Sequence, residues 1–366
     1  MSKIHLFSCL MALLPIFLHG AEPDAPAAAQ WLNLKQYAQT KQGLAMESFA
    51  CDLVSGRAFA IVKQGANSAL MATTATFVVK AGKAEVKLDP KGKIILANRE
   101  RGEILDVGVN PTDSTVLYLT AAGLFTCDMS GAGDHLVAAM PPGYSIPNNN
   151  LIEKPHFTVF PAAGLARIVA CRDNRVRPFW VTLKDGRCRE EPSPANGGTW
   201  DGYVMNGKLV LCNNDRNNGK LTCQIYSGEP WKLEQEQTIT IINDFKSGRI
   251  DYYSLYWDDP GATLFALTFQ AGLPHKILTI NLNKGEPEEI CTFASPLADR
   301  LRRGYSMCTA SIYYLYRADD GSQAMRVLLS IIKNAGVHPT PEFFPYDVEL
   351  KAGATPRPVK SKKLRG

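Results

Sequence analysis

The chain is poor in the short signatures that announce chemistry. No two cysteines stand two residues apart, and no Cys/His cluster has zinc-ligand spacing, which argues against a zinc module or a dithiol redox motif. No Gly-x-Ser-x-Gly occurs, so no nucleophile elbow is written into the chain. A Ser/His/Asp triad can still assemble from distant positions. No glycine-rich phosphate loop is present. Histidine is scarce, and His135, His156, His275 and His338 have no partner at ligand spacing. Beyond the N-terminus, no apolar run reaches the roughly 20 residues of a membrane-spanning helix, and no long stretch carries the helical apolar period. Charged residues make up 20% of the chain and apolar residues 45%; that balance belongs to a folded protein rather than a disordered one.

The formal net charge of +5 is concentrated at one end. Arg357, Lys360, Lys362, Lys363 and Arg365 are the basic residues of the last ten, with no acidic residue among them. Without them the body is close to neutral, which argues against a nucleic-acid partner. The proline-broken tail, 351–366, reads as a solvated end, and its basicity suits weak contact with an anionic surface.

What is there begins with a leader. Lys3 precedes the apolar run Leu6–Leu18, and His19-Gly20-Ala21 offers small residues for cleavage. This pattern predicts a signal peptide over 1–21 and an exported protein, periplasmic or secreted, soluble after cleavage. Eight cysteines follow the leader, an even number that permits disulfides in an oxidising compartment. Cys212 and Cys223 flank the loop Asn213–Gly219, which folds one strand back on the next, so they are the disulfide candidate. The alternative is that such cysteines serve as small buried apolar residues.

The strongest signal is a rhythm. Six times an apolar run, a turn and a second apolar run lead to a glycine, at Gly82, Gly131, Gly186, Gly228, Gly285 and Gly336. The intervals are 49, 55, 42, 57 and 51 residues. The runs are rich in β-branched and aromatic residues, and the breaks carry Gly, Pro, Asn or Asp. The second repeat is the clearest, with Leu105–Val109, Val116–Leu119 and Leu124–Cys127. A fourth run is weak in every repeat, Glu289–Phe293 being the best example. A period in this range carried by strands predicts an all-β protein with a β-propeller of six blades, or seven if the N-terminal segment completes another sheet. Ring closure would fall to an N- or C-terminal strand, with Trp31-Leu32 or Phe343–Val348 as candidates. The domain plan is a leader over 1–21, a linker and N-terminal segment over 22–43, one propeller over 44–350, and the tail.

The turn Asn110-Pro111-Thr112-Asp113, inside Asp106–Gly131, stands near the Ser-Pro-Asp-Gly turn of exported TolB-like, PD40-repeat propellers. The chain resembles that family at the level of fold. The resemblance implies partner binding and supplies no catalytic residue. Trp200-Asp201 and Trp257-Asp258 do not close a third strand, so they carry no WD-repeat signature.

First strands line the channel of a propeller, so polar residues near their starts converge at one mouth. Aligned repeats place Glu47, Asp106, His156, Asp201, Asp251 and Tyr305 there. Asp106, His156, Asp201, Asp251 and Tyr305 are the candidate ligand-binding set. A ring of carboxylates with one histidine suits calcium or magnesium, and the same groups could serve as acid and base in glycoside cleavage. Aspartate before a strand is also an ordinary turn former. No cofactor is required by any motif. The reading is a non-enzymatic binding or assembly module for a protein or polysaccharide, with loops such as Met140–Lys154 or Arg189–Gly198 presenting the partner face. The second reading is a carbohydrate-active hydrolase or lyase using Asp106, His156, Asp201 and Asp251.

Overall fold

The computed structural model describes residues 31–34, 38–39, 45–52, 55–64, 67–80, 83–89, 91–98, 101–147, 156–194, 200–215, 218–243, 252–258, 263–270, 273–292, 305–317, 323–333, 341–351, 353 and 357–358. Their regular elements are strands, apart from one 3-10 turn at Pro161–Ala163. The leader, most of the basic tail, Asp251, Gly82 and Gly336 lie outside the described residues. So do the side chains of Glu47, Tyr305 and Cys308.

The chain opens with β1 (Trp31–Leu34), β2 (Ala38–Gln39), β3 (Ala45–Asp52), β4 (Arg57–Gln64), β5 (Asn67–Lys80), β6 (Lys83–Leu88) and β7 (Lys93–Asn98). Four four-stranded antiparallel sheets follow. The first contains β8 (Asp106–Asn110), β9 (Thr115–Thr120), β10 (Gly123–Asp128) and β11 (His135–Ala139). A short strand β12 (Tyr144–Ser145) precedes the next sheet. That sheet contains β13 (Phe157–Phe160) and β14 (Leu165–Ile168), then a side hairpin of β15 (Cys171–Arg172) and β16 (Arg175–Val176), then β17 (Phe179–Thr182) and β18 (Cys188–Glu190). The next is β19 (Trp200–Met205), β20 (Lys208–Asp215), β21 (Lys220–Ser227) and β22 (Lys232–Thr240). The last of the four is β23 (Tyr252–Asp258), β24 (Thr263–Gln270), β25 (Leu273–Asn281) and β26 (Glu286–Thr292). The chain ends with β27 (Tyr305–Arg317), β28 (Gln323–Lys333), β29 (Pro341–Glu349) and β30 (Arg357–Pro358).

The two ends of the chain share one composite sheet. β5 is long enough to serve two neighbours. Its residues 67–74 pair with β4, and 75–80 pair with β6. β6 then meets β29 at Ala84 and Phe343. N-terminal and C-terminal strands are thereby joined, as ring closure requires, with β6 as the joining strand. Pairing extends beyond both edges of the expected 44–350 span: Trp31–Leu34 lies on β3, and Arg357–Pro358 lies on β29.

Packing shows why the strands read as they do. In β9, Val116 and Tyr118 turn toward Phe59, Ile61 and Leu70 of the composite sheet, while Leu117 and Leu119 turn toward Phe157, Ala166 and Phe179 of the next. β20 behaves alike: Leu209 and Leu211 pack with Trp180, and Val210 and Cys212 pack with Tyr253, Leu264 and Ala266. The strand period of 2 therefore gives two apolar faces, because each sheet is covered on both sides. β8 lies beside β3 and β13, and β23 beside β27. First strand against first strand, with successive sheets face to face, is the arrangement of a β-propeller. Burial falls away toward the fourth strand: β22 is exposed at Lys232–Gln235, and β11 at His135 and Leu136.

The rhythm of glycines has a structural cause. Gly131, Gly186, Gly228 and Gly285 sit in turns between third and fourth strands, with φ of 89°, 70°, 76° and 70°. Each turn meets the fourth strand of the preceding sheet. A Cβ at Gly131 would stand 2.1 Å from the carbonyl oxygen of Ile95 on β7, and one at Gly186 would stand 1.9 Å from that of Val137 on β11. A Cβ at Gly285 would lie 3.2 Å from Gln237 Oε1 on β22. The Gly228 carbonyl accepts a hydrogen bond from Arg189 Nη2 on β18 at 2.8 Å. Left-handed backbone and close approach both favour glycine.

Candidate functional site

In this topology the connections between sheets and those from second to third strands emerge on one face. Three of them converge around the second four-stranded sheet. β12, from the connection entering that sheet, pairs with β15: Tyr144 opposes Arg172, and Ser145 opposes Cys171. β15 turns into β16 through Asp173 and Asn174, whose φ values of 51° and 57° make a two-residue hairpin. Asp and Asn tolerate that conformation better than most residues. Arg177 Nη1 then donates to Ser193 Oγ, which belongs to the connection leaving the sheet.

Three arginines, Arg172, Arg175 and Arg177, recur on this platform beside the exposed acidic Asp173 and Glu190. Arg172, Arg175 and Val176 are exposed, Val176 at 44%. The Arg172 guanidinium stands 5.6 Å over the Tyr144 ring, and that ring meets Phe179 edge-on at 5.3 Å. Arg172 also approaches Glu190 at 3.6 Å and Asp173 at 3.9 Å. At such exposure these ion pairs orient the side chain more than they stabilise the fold. The loops expected to present a partner, 140–154 and 189–198, supply Tyr144, Ser145 and Ser193 to this platform; 148–155 and 195–199 lie outside the described residues.

Of the carboxylates and histidine expected at the channel mouth, Asp106, His156 and Asp201 are described, each at or near the start of the first strand of its sheet. Asp106 is fully buried and His156 is 1% exposed. Asp106 Oδ2 accepts the His156 N–H at 2.6 Å, and Oδ1 accepts the Val107 N–H at 2.9 Å. The His156 carbonyl accepts the Val169 N–H at 2.7 Å. Asp106 thereby pins the entry of β13 to the start of β8. Two steps along β8, Gly108 leaves room for Phe157, whose ring would lie 2.9 Å from a Cβ there. Asp201 is half-buried on β19, opposite Cys212 of β20. Asp106 and His156 are thus brought together, Asp201 stands two sheets from Asp106, and Asp251 and the Tyr305 side chain lie outside the described residues. Among the described residues no group of three His, Cys, Asp or Glu side chains is placed to hold a metal ion. Cys212 and Cys223 stand directly opposite one another on β20 and β21.

One polar cluster was missed by sequence reasoning. Arg167 on β14 donates through Nε to Glu191 Oε2 at 2.6 Å and through Nη2 to Glu191 Oε1 at 2.8 Å. Nη2 also reaches the Trp200 carbonyl at 2.7 Å, and Trp180 Nε1 donates to Glu191 Oε2 at 2.9 Å. Burial opposes the Arg167 charge, but the Glu191 carboxylate outweighs it and holds the guanidinium above its ordinary pKa. Gly202 makes space for the cluster; a Cβ there would lie 2.6 Å from Arg167 Nε. The available signal was a lone arginine inside the apolar run Leu165–Ala170.

No protein-family model matches the chain. No curated protein matches it by sequence. Among solved structures, the WD40 domain of SCAP from fission yeast is similar at 10% identity, covering 89% of this chain and 68% of that one, with a TM-score of 0.43. A protein from Lactobacillus plantarum is similar at 8% identity over 91% of this chain and 100% of that one, with a TM-score of 0.38. The N-terminal domain of Nup159 is similar at 10% identity over 80% of this chain and 74% of that one, with a TM-score of 0.39. Likeness at that level adds nothing to the sheet topology, on which the propeller assignment rests.

Proposed function

We propose that this protein is a non-enzymatic binding module whose protein partner docks through an acidic segment on the face carrying β12, β15 and β16. The observation behind this reading is the side hairpin itself. It lies outside the repeating sheets, is braced by two neighbouring connections, and presents Arg172, Arg175 and Val176 to solvent. A rigid scaffold presenting irregular loops is a common binding arrangement, and arginine suits carboxylate recognition because its fork is planar and bidentate. The buried state of Asp106 and His156 supports this reading over the hydrolase or lyase.

The test compares wild type with Arg172→Glu/Arg175→Glu, both immobilised and exposed to the exported protein fraction. Acidic proteins retained by wild type, eluted by salt and lost by the variant are expected. Equal retention by both proteins would refute the docking face. A thermal shift with an acidic glycan but no retained protein would replace the protein partner with a polysaccharide. A calcium-dependent shift abolished by Asp201→Asn would return the channel mouth to consideration.

The composite sheet is read as two blades meeting at β5, giving six in all; an experimental structure with seven sheets in the ring would overturn that count. Export is proposed from the leader alone. N-terminal sequencing of the mature protein should begin near Glu22, and a start at Met1 or Ser2 would refute it.

A further inference from the structure

The hairpin β20–β21 places two cysteines where strand pairing alone brings them together. Cys212 opposes Cys223 in the register. Both are fully buried free thiols, and their sulfurs lie 3.5 Å apart in a hydrogen bond. Both turn toward the sheet formed by β23–β26, among Val210, Leu221, Ile239, Tyr253 and Ala266. Directly opposed residues of an antiparallel pair have Cβ atoms about 4.5–5.5 Å apart, and a disulfide needs about 3.5–4.5 Å. Rotation of the two side chains, with a small inward movement of the strands, closes that difference. The other described buried cysteines, Cys51, Cys127 and Cys291, are on different sheets.

We propose that Cys212 and Cys223 are joined by a disulfide in the native protein. The bond forms by thiol–disulfide exchange with an external disulfide such as oxidised glutathione. One thiolate attacks the oxidant and expels one of its sulfurs as a thiol. The second thiolate then displaces the other. The two cysteines lose two electrons and two protons, and the oxidant leaves as two thiols. Timing follows from burial. Cys212 is held well above its ordinary thiol pKa by its contact with Cys223 and by desolvation, so exchange is suppressed once the next sheet covers the pair. The hairpin is local in sequence, so the sulfurs can meet before that sheet docks.

The full chain is unfolded in denaturant and refolded in a mixture of oxidised and reduced glutathione. It is then quenched with an alkylating agent, and trypsin peptides are weighed without reduction. Cleavage after Lys208, Arg216, Lys220 and Lys232 separates Cys212 from Cys223. The expected product joins peptides 209–216 and 221–232 and is two hydrogen masses lighter than their sum. Adding a reductant before quenching should release both as alkylated peptides. Recovery of both cysteines as alkylated or glutathione-capped thiols after oxidative refolding overturns the proposal. So does linkage of either cysteine to Cys51, Cys127 or Cys291 in its place.

Discussion

Replacing Gly186 by alanine should separate blade docking from the conformational preference of a turn. Gly186 ends the β17–β18 turn, where its N–H donates to the Thr182 carbonyl at 2.8 Å. Its φ is +70°, and an added Cβ would fall 1.9 Å from the Val137 carbonyl oxygen and 3.1 Å from its carbon. The obstructing atoms are backbone, at the β-bulge that Val137 makes between the paired Leu136 and Ala138 of β11, so no side chain can swing aside. An ordinary carbon–oxygen contact requires the turn to recede from β11 by more than an ångström. The left-handed conformation alone costs alanine about 1 kcal/mol relative to glycine. Overpacking against this backbone adds roughly 1–3 kcal/mol, for a total of about 2–4 kcal/mol. Gly133→Ala is the control: its φ is +66°, but nothing lies within 4 Å of the added carbon. That variant should lose only the conformational share. Urea unfolding followed by tryptophan fluorescence reads both, with the slope checked so that the midpoint reports stability. If Gly186→Ala costs no more than Gly133→Ala, the turn does not dock on the neighbouring sheet and the explanation of the glycine rhythm fails.

Arg167→Ala should leave the Glu191 carboxylate buried without its counter-charge and cost about 3–5 kcal/mol. The double variant Arg167→Met/Glu191→Leu should recover much of that loss in urea titration, and a loss as large as the single change would contradict the assignment of an ion-pair staple. Asp128 is held below the usual carboxylate pKa, first by the Ser130 hydroxyl and then by the Ser130 and Ala132 N–H groups. Its stabilisation is therefore present above the unfolded-state pKa and lost as pH falls through the lower folded value. Acid titration of Asp128→Asn should show a shallower decline than wild type below about pH 4; superimposable curves would refute the linkage. Burial pushes the thiols of Cys51, Cys127 and Cys291 up to about 12. In native protein at pH 8 a maleimide should label partly exposed Cys171 well before these three, as read by peptide mass, and equal rates would show that the blades open readily.

How much of the fold can be read in the chain follows from what each strand buries. β9 and β10 are covered on both faces, so Val116–Leu119 is an uninterrupted apolar run and Leu124–Cys127 is broken only by Thr126. β22 is exposed along Lys232–Gln235, so it carries no apolar pattern and its strand character is almost invisible. β5 illustrates a different limit. It is one strand from Asn67 to Lys80, yet residues 67–74 pair with β4 and 75–80 with β6, a choice made by the partners available on either side. The hairpin at Asp173-Asn174 has turn chemistry, but its strands are two residues each, too short to carry an apolar pattern.

The site was less legible than the fold, because polar residues carry no periodic mark of their surroundings. Asp106 begins its strand much as Asp201 does, and local sequence treats them alike. Asp106 is fully buried and bound to the His156 N–H across two sheets, whereas Asp201 is half-buried. Arg167 and Glu191 are 24 residues apart and meet only because β14 and the exit of β18 converge. By itself the sequence determined the all-β class, the repeat and, among the described residues, the glycine at four third-to-fourth-strand turns, because burial on two faces and left-handed turns constrain residue type locally. Only the tertiary structure decided which polar groups are spent inside and which face solvent, because charge pairing and close approach depend on what the neighbouring sheet brings to the same place.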